Sequence, residues 1–200
     1  MIRSLAAAPG RPIGSRADEF FGPFLGAHNL NCGSAKHRLP GFVNLDVSPN
    51  VGADVVHDLE DLPLPFLPET FDAVFGSHVF EHIHRERFIP LVGDLVRILK
   101  PGGFLISVTP YCSSDDAIDN PFHLQAFSET TWHYADRRLY EDETTAGYGD
   151  FGVTWSLPVV FTALIPYPEY ATATPDALEY AKRHYRNVIQ ELHVVLKKPE

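Results

Sequence analysis

The chain has 200 residues, of which 44% are hydrophobic and 21% charged, which is typical of a globular domain and excludes a disordered or fibrous protein. The formal net charge is -10 and the 16 Lys and Arg residues are spread along the chain, so no nucleic-acid-binding surface is expected. No stretch approaches the roughly 20 apolar residues of a membrane helix. The two cysteines favour a reducing, cytoplasmic compartment over a disulfide framework.

The N-terminal segment differs in composition from the rest of the chain. Residues 1–16 carry arginines but no acidic residue, and their apolar part is too short for a secretory signal. We expect a flexible tail here, with a helix starting near Ser15. Residues 17–200 are then predicted to form a single domain.

Five short runs after Ala27 have the length and the β-branched or aromatic content of buried strands. Strands that are buried on both faces of a parallel sheet read as continuous apolar runs, as these do. The predicted strands span residues 27–31, 42–46, 53–57, 71–76 and 104–109.

The connections between these strands are uneven in length. Residues 85–99 carry apolar side chains at steps of three and four, which predicts a helix, and the sequence KPGG at residues 100–103 is typical of a helix end. The earlier connections are shorter than a usual parallel crossover. Residues 32–41 leave room for at most a turn or two of helix, and residues 47–52 for none.

The pattern changes after Pro110 to a polar, proline-containing stretch, followed by a predicted helix over residues 128–136. Two long strands are predicted at residues 151–165 and 188–197, joined through a helix at residues 175–185. Such a pair would close the sheet in antiparallel fashion. The chain is therefore predicted to be α/β, with a mostly parallel sheet of about seven strands, an antiparallel closing strand and shortened early helices.

Two predicted strand ends carry residues that suit a ribose-bearing cofactor. The first strand runs into the turn NLNCGSA at residues 29–35, where small residues let backbone N–H groups approach a ligand. The second strand ends in Asp46, and an acid at this place can accept both hydroxyls of a ribose. A lone glycine turn would be weak evidence, but the two features together predict a cofactor site.

In order and spacing, these segments resemble the class I S-adenosylmethionine-dependent methyltransferases, especially small members whose motifs read LNLGCG and then PGW-x-N-V-D. The resemblance covers residues 27–110 and implies a Rossmann-like fold, S-adenosylmethionine as cofactor and methyltransferase activity. The matching segments are NLNCGSA (29–35), LPGFVNLD (39–46), HDL (57–59), FDAV (71–74), FEHI (80–83) and RILKPGG (97–103).

The resemblance also implies where the cofactor would lie. Gly33 and its neighbours would line the methionine part, Asp46 would hold the ribose, and Asp58 with Leu59 would flank the adenine. Of the motif's three alternating glycines only the middle one is present, because Asn31 and Ala35 take the outer places. The implied cofactor-binding residues are Asn31, Cys32, Gly33, Ser34, Asp46, Val47, Asp58, Leu59, Ser77 and His78.

Methyl transfer from a sulfonium is an in-line displacement, so the protein mainly aligns donor and acceptor and takes a proton from a hydroxyl acceptor. Histidine titrates near neutral pH and suits that role. We predict His123 and His78 as catalytic candidates, because one follows the fifth strand and the other the fourth.

Other interpretations of this histidine-rich region stay open. Glu81 and His82 could cap or orient the helix that follows them. His78, Glu81, His82 and His123 could also form a divalent metal site, since imidazole and carboxylate suit such ions. The segment His78-x-x-Glu81-His82 does not by itself fix a coordination geometry, so no metal is predicted.

The predicted function is methyl transfer to oxygen or nitrogen of a small molecule, and family similarity suggests a sugar or another polyhydroxylated metabolite. Residues 27–110 would bind the cofactor and residues 111–200 would cover the acceptor, with neither nucleic acid nor membrane as a partner. One alternative is a non-catalytic scaffold or regulatory domain. A less favoured one is an NAD-type oxidoreductase, because the turn lacks the spacing GxGxxG.

Overall fold

The structure, a computed structural model, describes residues 20–141 and 152–200. The predicted tail at residues 1–16 and the helix start near Ser15 lie outside the described residues. Position 151, where a strand was predicted to begin, lies outside them as well. No helix in the described ranges is both long and apolar enough to cross a membrane.

Seven strands form one sheet. β7 runs antiparallel to both of its neighbours, and the remaining pairs in the sheet are parallel. The strands are β1 (Asn29–Cys32), β2 (Phe42–Asp46), β3 (Val55–Val56), β4 (Phe71–Ser77), β5 (Leu99–Pro110), β6 (Val159–Pro166) and β7 (Ile189–Lys197). Their order in the sheet is β3-β2-β1-β4-β5-β7-β6, which confirms the predicted α/β fold with an antiparallel closing strand.

Three α-helices lie wholly within the described residues: α1 (Arg85–Ile98), α2 (Asp115–Ile118) and α3 (Pro175–His184). The boundaries of α1 and α3 agree with the prediction to within one residue. α1 buries the apolar face that its spacing predicted, with Leu91 and Leu95 fully covered. α3 begins at Thr174, whose hydroxyl accepts a hydrogen bond from the Ala177 N–H at 3.3 Å.

Three connections differ from the prediction. The helix expected over residues 128–136 is one short 3-10 helix, Thr131–Ala135, and the link at residues 47–52 contains a 3-10 turn, Pro49–Val51, instead of no helix. Proline at the first position and glycine at the end suit so short a turn. The strand expected from residue 151 begins only at Val159, where pairing with β7 starts.

The KPGG segment at residues 100–103 is part of β5, not a loop before it. The partners of β4 advance from Leu99 opposite Phe71 to Phe104 opposite Ala73, so the segment bulges out of the ladder. Gly102 has φ of 74° and donates its N–H to the Lys198 carbonyl at 3.1 Å. This hydrogen bond to the chain after β7 helps to keep residues 100–103, the expected turn, in the sheet.

The sheet is covered on both faces because side chains alternate along its strands. On β4, Val74 packs into a large cluster with the apolar side of α1. Ala73 and Phe75 face the other way, into a smaller cluster that contains Phe21. Burial of both faces leaves the carboxyl edge of the parallel strands as the open side of the sheet.

Candidate functional site

The carboxyl ends of the first four strands border a cavity of about 420 Å³. Gly33 follows β1, Asp46 ends β2 and His78 follows β4. In open α/β sheets, ligands bind outside the carboxyl ends of the strands. The cofactor-binding residues predicted from sequence that line this cavity are Gly33, Asp46, Val47, Asp58, Leu59 and His78.

A smaller cavity of about 230 Å³ adjoins the first. The two cavities share Gly33, Ala35 and His78 in their walls. The cofactor-binding residues predicted from sequence that line this smaller cavity are Asn31, Gly33, Ser34, Ser77 and His78. The predicted residues therefore divide between two neighbouring spaces.

Cys32 is the exception, because its side chain lines neither cavity. It is fully buried in the core, and burial raises the pKa of its thiol to about 12. Any contact between Cys32 and a ligand in these cavities is limited to its backbone.

Gly33 adopts a conformation that other residues rarely take. Its φ is 62°, and a Cβ built at this position would lie 2.4 Å from Cγ2 of Val79. Ala35, two residues later, also has a positive φ of 44°. The Ser34 N–H donates to the Leu45 carbonyl at 3.0 Å, which ties the turn to β2.

The Asp46 carboxylate is held in the cavity wall by two backbone amides. One oxygen, Oδ2, accepts from the Ala35 N–H and the other, Oδ1, from the Ser48 N–H, both at 2.8 Å. Each carboxylate oxygen can accept more than one hydrogen bond. The carboxylate is therefore fixed in direction and still able to accept from a ligand.

Asn31 stands where the family motif has a glycine. Its side-chain nitrogen donates to Asn44 Oδ1 at 3.0 Å and to the His37 carbonyl at 3.3 Å. These bonds hold the amide against β2 and the turn. The larger side chain at this place is thus accommodated by a partner on the next strand.

The rim of the larger cavity contains residues that were not predicted, His57, Glu60, Ile83 and His84. Glu60 accepts from the His84 backbone N–H at 2.6 Å and from the imidazole Nδ1 at 2.9 Å. Burial opposes ionisation of Glu60, but these bonds outweigh it and lower the pKa of the carboxyl. His57 and Ile83 belong to the motif segments HDL and FEHI, and Glu60 and His84 directly follow them, which was the available signal for this rim.

His78 lies between two carboxylates and has a φ of 53°. Its Nδ1 is 3.4 Å from Glu81 Oε1, and its Nε2 is 3.5 Å from Glu191 Oε1. Burial lowers the pKa of His78, but Glu191 and Glu81 outweigh it and raise the pKa to about 9. With this pKa His78 carries a proton at neutral pH and would donate a hydrogen bond to an acceptor, so its role as a general base stays a prediction.

His123, the other catalytic candidate, lines neither of the two cavities. Its Nδ1 donates to the Ala117 carbonyl at 3.2 Å, and its Nε2 is 4.0 Å from Glu81 Oε1. Its ring packs edge-on against His82, with 4.7 Å between the ring centroids. The structure thus groups His123 with Glu81 and His82 and separates it from the cavities.

The strand order is that of the class I, Rossmann-like methyltransferase fold. A family profile described as "Methyltransferase domain" matches residues 31–107, which run from β1 into β5. No curated protein sequence matches the chain. Residues 31–107 thus resemble a methyltransferase domain, and S-adenosylmethionine is the cofactor that this resemblance indicates.

Solved structures share the fold at low sequence identity. A SAM-dependent methyltransferase from Archaeoglobus fulgidus is 14% identical with a TM-score of 0.64, and the match covers 93% of each chain. The Burkholderia thailandensis 1,6-didemethyltoxoflavin-N1-methyltransferase is 14% identical, with a TM-score of 0.57 over 95% of this chain and 78% of that one. The N-methyltransferase NodS from Bradyrhizobium japonicum WM9 is 14% identical, with a TM-score of 0.53 over 93% and 85%.

Proposed function

We propose that the protein transfers a methyl group from S-adenosylmethionine to oxygen or nitrogen of a small molecule, with the cofactor lying across the two adjoining cavities. The observation that carries this proposal is the convergence of Gly33, Asp46 and Asp58 on one cavity. These residues are far apart in sequence and meet because each lies at or just after the carboxyl end of a strand. Scaffolding alone does not require that arrangement.

The residues of the larger cavity suit the adenosine part. Asp46 would accept the ribose hydroxyls, since two backbone amides already orient its carboxylate. Asp58 and Leu59 would flank the adenine. Leu59 is buried and gives the base an apolar surface to pack on.

The residues of the smaller cavity suit the amino-acid part. Asn31, Ser34 and Ser77 place amide and hydroxyl groups around this space. The Ser34 hydroxyl is buried and has no hydrogen-bond partner among the described residues. A buried hydroxyl without a partner is costly, and an ammonium or carboxylate group would supply the missing bond.

The cofactor supplies a methyl group on a positively charged sulfur, which a nucleophile attacks in line. Gly33 and His78 mark the junction of the cavities, so an acceptor would approach past His78 and His82. As a cation, His78 would donate hydrogen bonds to an acceptor oxygen and orient it. The suggestion of a sugar or polyhydroxylated acceptor rests on family similarity, and the polar rim at Glu60 supports it.

We further propose that residues 17–200 form one domain, in which residues 27–110 bind the cofactor and residues 111–200 cover the acceptor. Cys32 and Cys112 are both free, which supports a cytoplasmic location.

Calorimetric titration with S-adenosylhomocysteine tests the proposed cofactor site. We expect the wild type to bind, and Asp46→Ala to weaken binding by about tenfold or more because the hydrogen bonds to ribose are lost. Asp119→Ala, which removes an exposed carboxylate outside both cavities, is the matched control and should bind as the wild type does. Absence of binding at millimolar ligand would favour the scaffold, and unchanged affinity in Asp46→Ala would refute the ribose assignment.

Mass spectrometry tests the acceptor class. The protein is incubated with S-adenosylmethionine and panels of sugars, other polyols and amines, and methylated products are sought. Methylation of amines in preference to sugars would refute the polyhydroxylated acceptor but retain the activity.

A further inference from the structure

Glu81 carries a buried carboxylate with room for a further ligand. Its side chain is 2% exposed, and neither oxygen accepts a hydrogen bond from any residue that the structure describes. The imidazole of His78 is 3.4 Å from one oxygen, longer than a good charge-assisted bond. Buried charges in proteins are paired or coordinate metal ions, and the pair with His78 leaves the oxygens of Glu81 able to do both.

Two further imidazoles face this carboxylate. Glu81, His82 and His123 each offer one ligand atom, and the three atoms lie within 4.8 Å of one another. Nε2 of His123 is 4.0 Å from Glu81 Oε1. Ligand atoms bound to one tetrahedral ion stand about 3.4 Å apart, so only a small inward movement of the rings would close the site.

The hydrogen bonds of both histidines leave the same nitrogen available. Nδ1 of His82 lies 3.0 Å from the Phe122 carbonyl, and Nδ1 of His123 lies 3.2 Å from the Ala117 carbonyl. Because a carbonyl only accepts, each Nδ1 carries the proton and each neutral ring keeps a lone pair on Nε2. Metal-bound histidines in proteins are fixed in this way.

Hydrogen bonds to backbone carbonyls hold together the two segments that carry the ligands. The Leu124 N–H donates to the Glu81 carbonyl at 2.7 Å. The Gln125 side chain donates to the carbonyls of Phe80 and Ile83, both at 3.1 Å. These bonds flank the ligands on both segments and hold the three side chains in place without any ion.

We propose that Glu81, His82 and His123 bind a divalent transition metal ion of the Zn²⁺ class. Two imidazoles and one carboxylate suit such ions, whereas Mg²⁺ and Ca²⁺ prefer oxygen ligands throughout. His82 also lines the larger cavity, so the ion would lie in the cavity wall with room for an outside ligand. There it would lower the pKa of an acceptor hydroxyl bound to the ion. This role rests on the proposed methyl transfer, whereas metal binding itself does not depend on that function.

Cobalt binding tests the site directly, in protein stripped with a chelator and without any cofactor. We expect one Co²⁺ per chain, seen by its visible absorption and displaced by Zn²⁺. Removing even a residue that only hydrogen-bonds a metal ligand weakens metal binding by about 10–100-fold. His82→Ala and His123→Ala each remove a ligand itself and should therefore weaken Co²⁺ binding at least tenfold. His133→Ala, at an exposed histidine outside the cluster, should leave Co²⁺ affinity unchanged.

Glu81→Gln separates a metal ligand from a plain ion pair with His78. We expect it to weaken Co²⁺ binding at least tenfold, whatever the loss of the pair with His78 does to the melting temperature of the metal-free protein. Unchanged Co²⁺ affinity in Glu81→Gln would assign Glu81 to the pair with His78 alone and overturn the proposal. Absence of Co²⁺ and Zn²⁺ binding at millimolar metal, or equal affinity in His82→Ala, would overturn it too.

Because His82 is partly exposed, its replacement does not threaten folding as a change at buried His123 does. Titration with S-adenosylhomocysteine is run separately on metal-free protein. Loss of that binding with Co²⁺ binding retained would refute the proposed function alone.

Discussion

Substitution of Gly33 by alanine should destabilise the protein through two effects that can be measured apart. The first is conformational, because φ at this position is 62°, where a side chain other than glycine is disfavoured. The second is steric, because the new Cβ would lie 2.4 Å from Cγ2 and 2.8 Å from Cβ of Val79. Separations this short force Val79 or the turn to move.

The size of each effect follows from the structure. Alanine in the left-handed region costs about 1–2 kcal/mol, and overpacking of a tightly packed site adds about 1–3 kcal/mol. Gly33→Ala should therefore lower the free energy of unfolding by about 2–5 kcal/mol. Gly52 has a φ of 75° but nothing within 4 Å of its Cβ position, so Gly52→Ala should show the conformational cost alone.

Urea denaturation of four variants checks this reasoning: Gly33→Ala, Gly52→Ala, Val79→Ala and the double variant of Gly33 and Val79. We expect the double variant to recover the steric part, with a coupling energy of about 1–3 kcal/mol. If Gly33→Ala costs no more than Gly52→Ala, the steric reasoning is refuted. A coupling energy near zero would place the strain elsewhere than at Val79.

Two further predictions concern ionisable groups away from the cavities. Asp72 accepts hydrogen bonds from Lys100 Nζ at 2.7 Å and from the His28 N–H at 2.8 Å, which outweigh burial and lower the pKa of its carboxyl. Its contribution to stability is therefore present above the pKa of the unfolded chain, about 4, and is lost as the pH falls from there through the lowered pKa of the folded protein. Asp72→Asn should cost about 1 kcal/mol or less at pH 7, and urea titrations should show this cost shrinking steadily below pH 4. An unchanged cost between pH 7 and the lowest pH at which the protein stays folded would contradict this. Cys32 is fully buried with a pKa raised to about 12, so iodoacetamide at pH 8 should label the less buried Cys112 first, as peptide mass spectrometry would show; faster labelling of Cys32 would contradict its burial.

The sheet could be predicted because its strands and α1 carry local patterns. The apolar run of β2 and the three-and-four spacing of α1 each report burial directly, and both elements begin where they were expected. The connection at residues 100–103 could not be predicted in the same way. Its place in β5 depends on a hydrogen bond to the Lys198 carbonyl, almost a hundred residues further on.

The candidate site, too, could be predicted from the sequence only in part. Gly33 and Asp46 could be placed together from sequence, because residues at the ends of adjacent parallel strands meet at one edge, and the family resemblance added Asp58. The position of His123 depends on the bond between the Leu124 N–H and the Glu81 carbonyl, which no local pattern signals. The protonation of His78 depends on Glu191 from β7, a strand that is distant in sequence and separated from β4 in the sheet only by β5.

The backbone at the cavities has a consequence for engineering the protein. Among the described residues, four other than glycine have a positive φ, and two of them, Ala35 and His78, line both cavities. Such conformations cost about 1–3 kcal/mol each, so a directed-evolution screen for heat resistance alone should enrich glycine at both positions. Variants with glycine at position 78 would lack the His78 imidazole. A screen of this protein for thermostability should therefore include an activity assay from the first round.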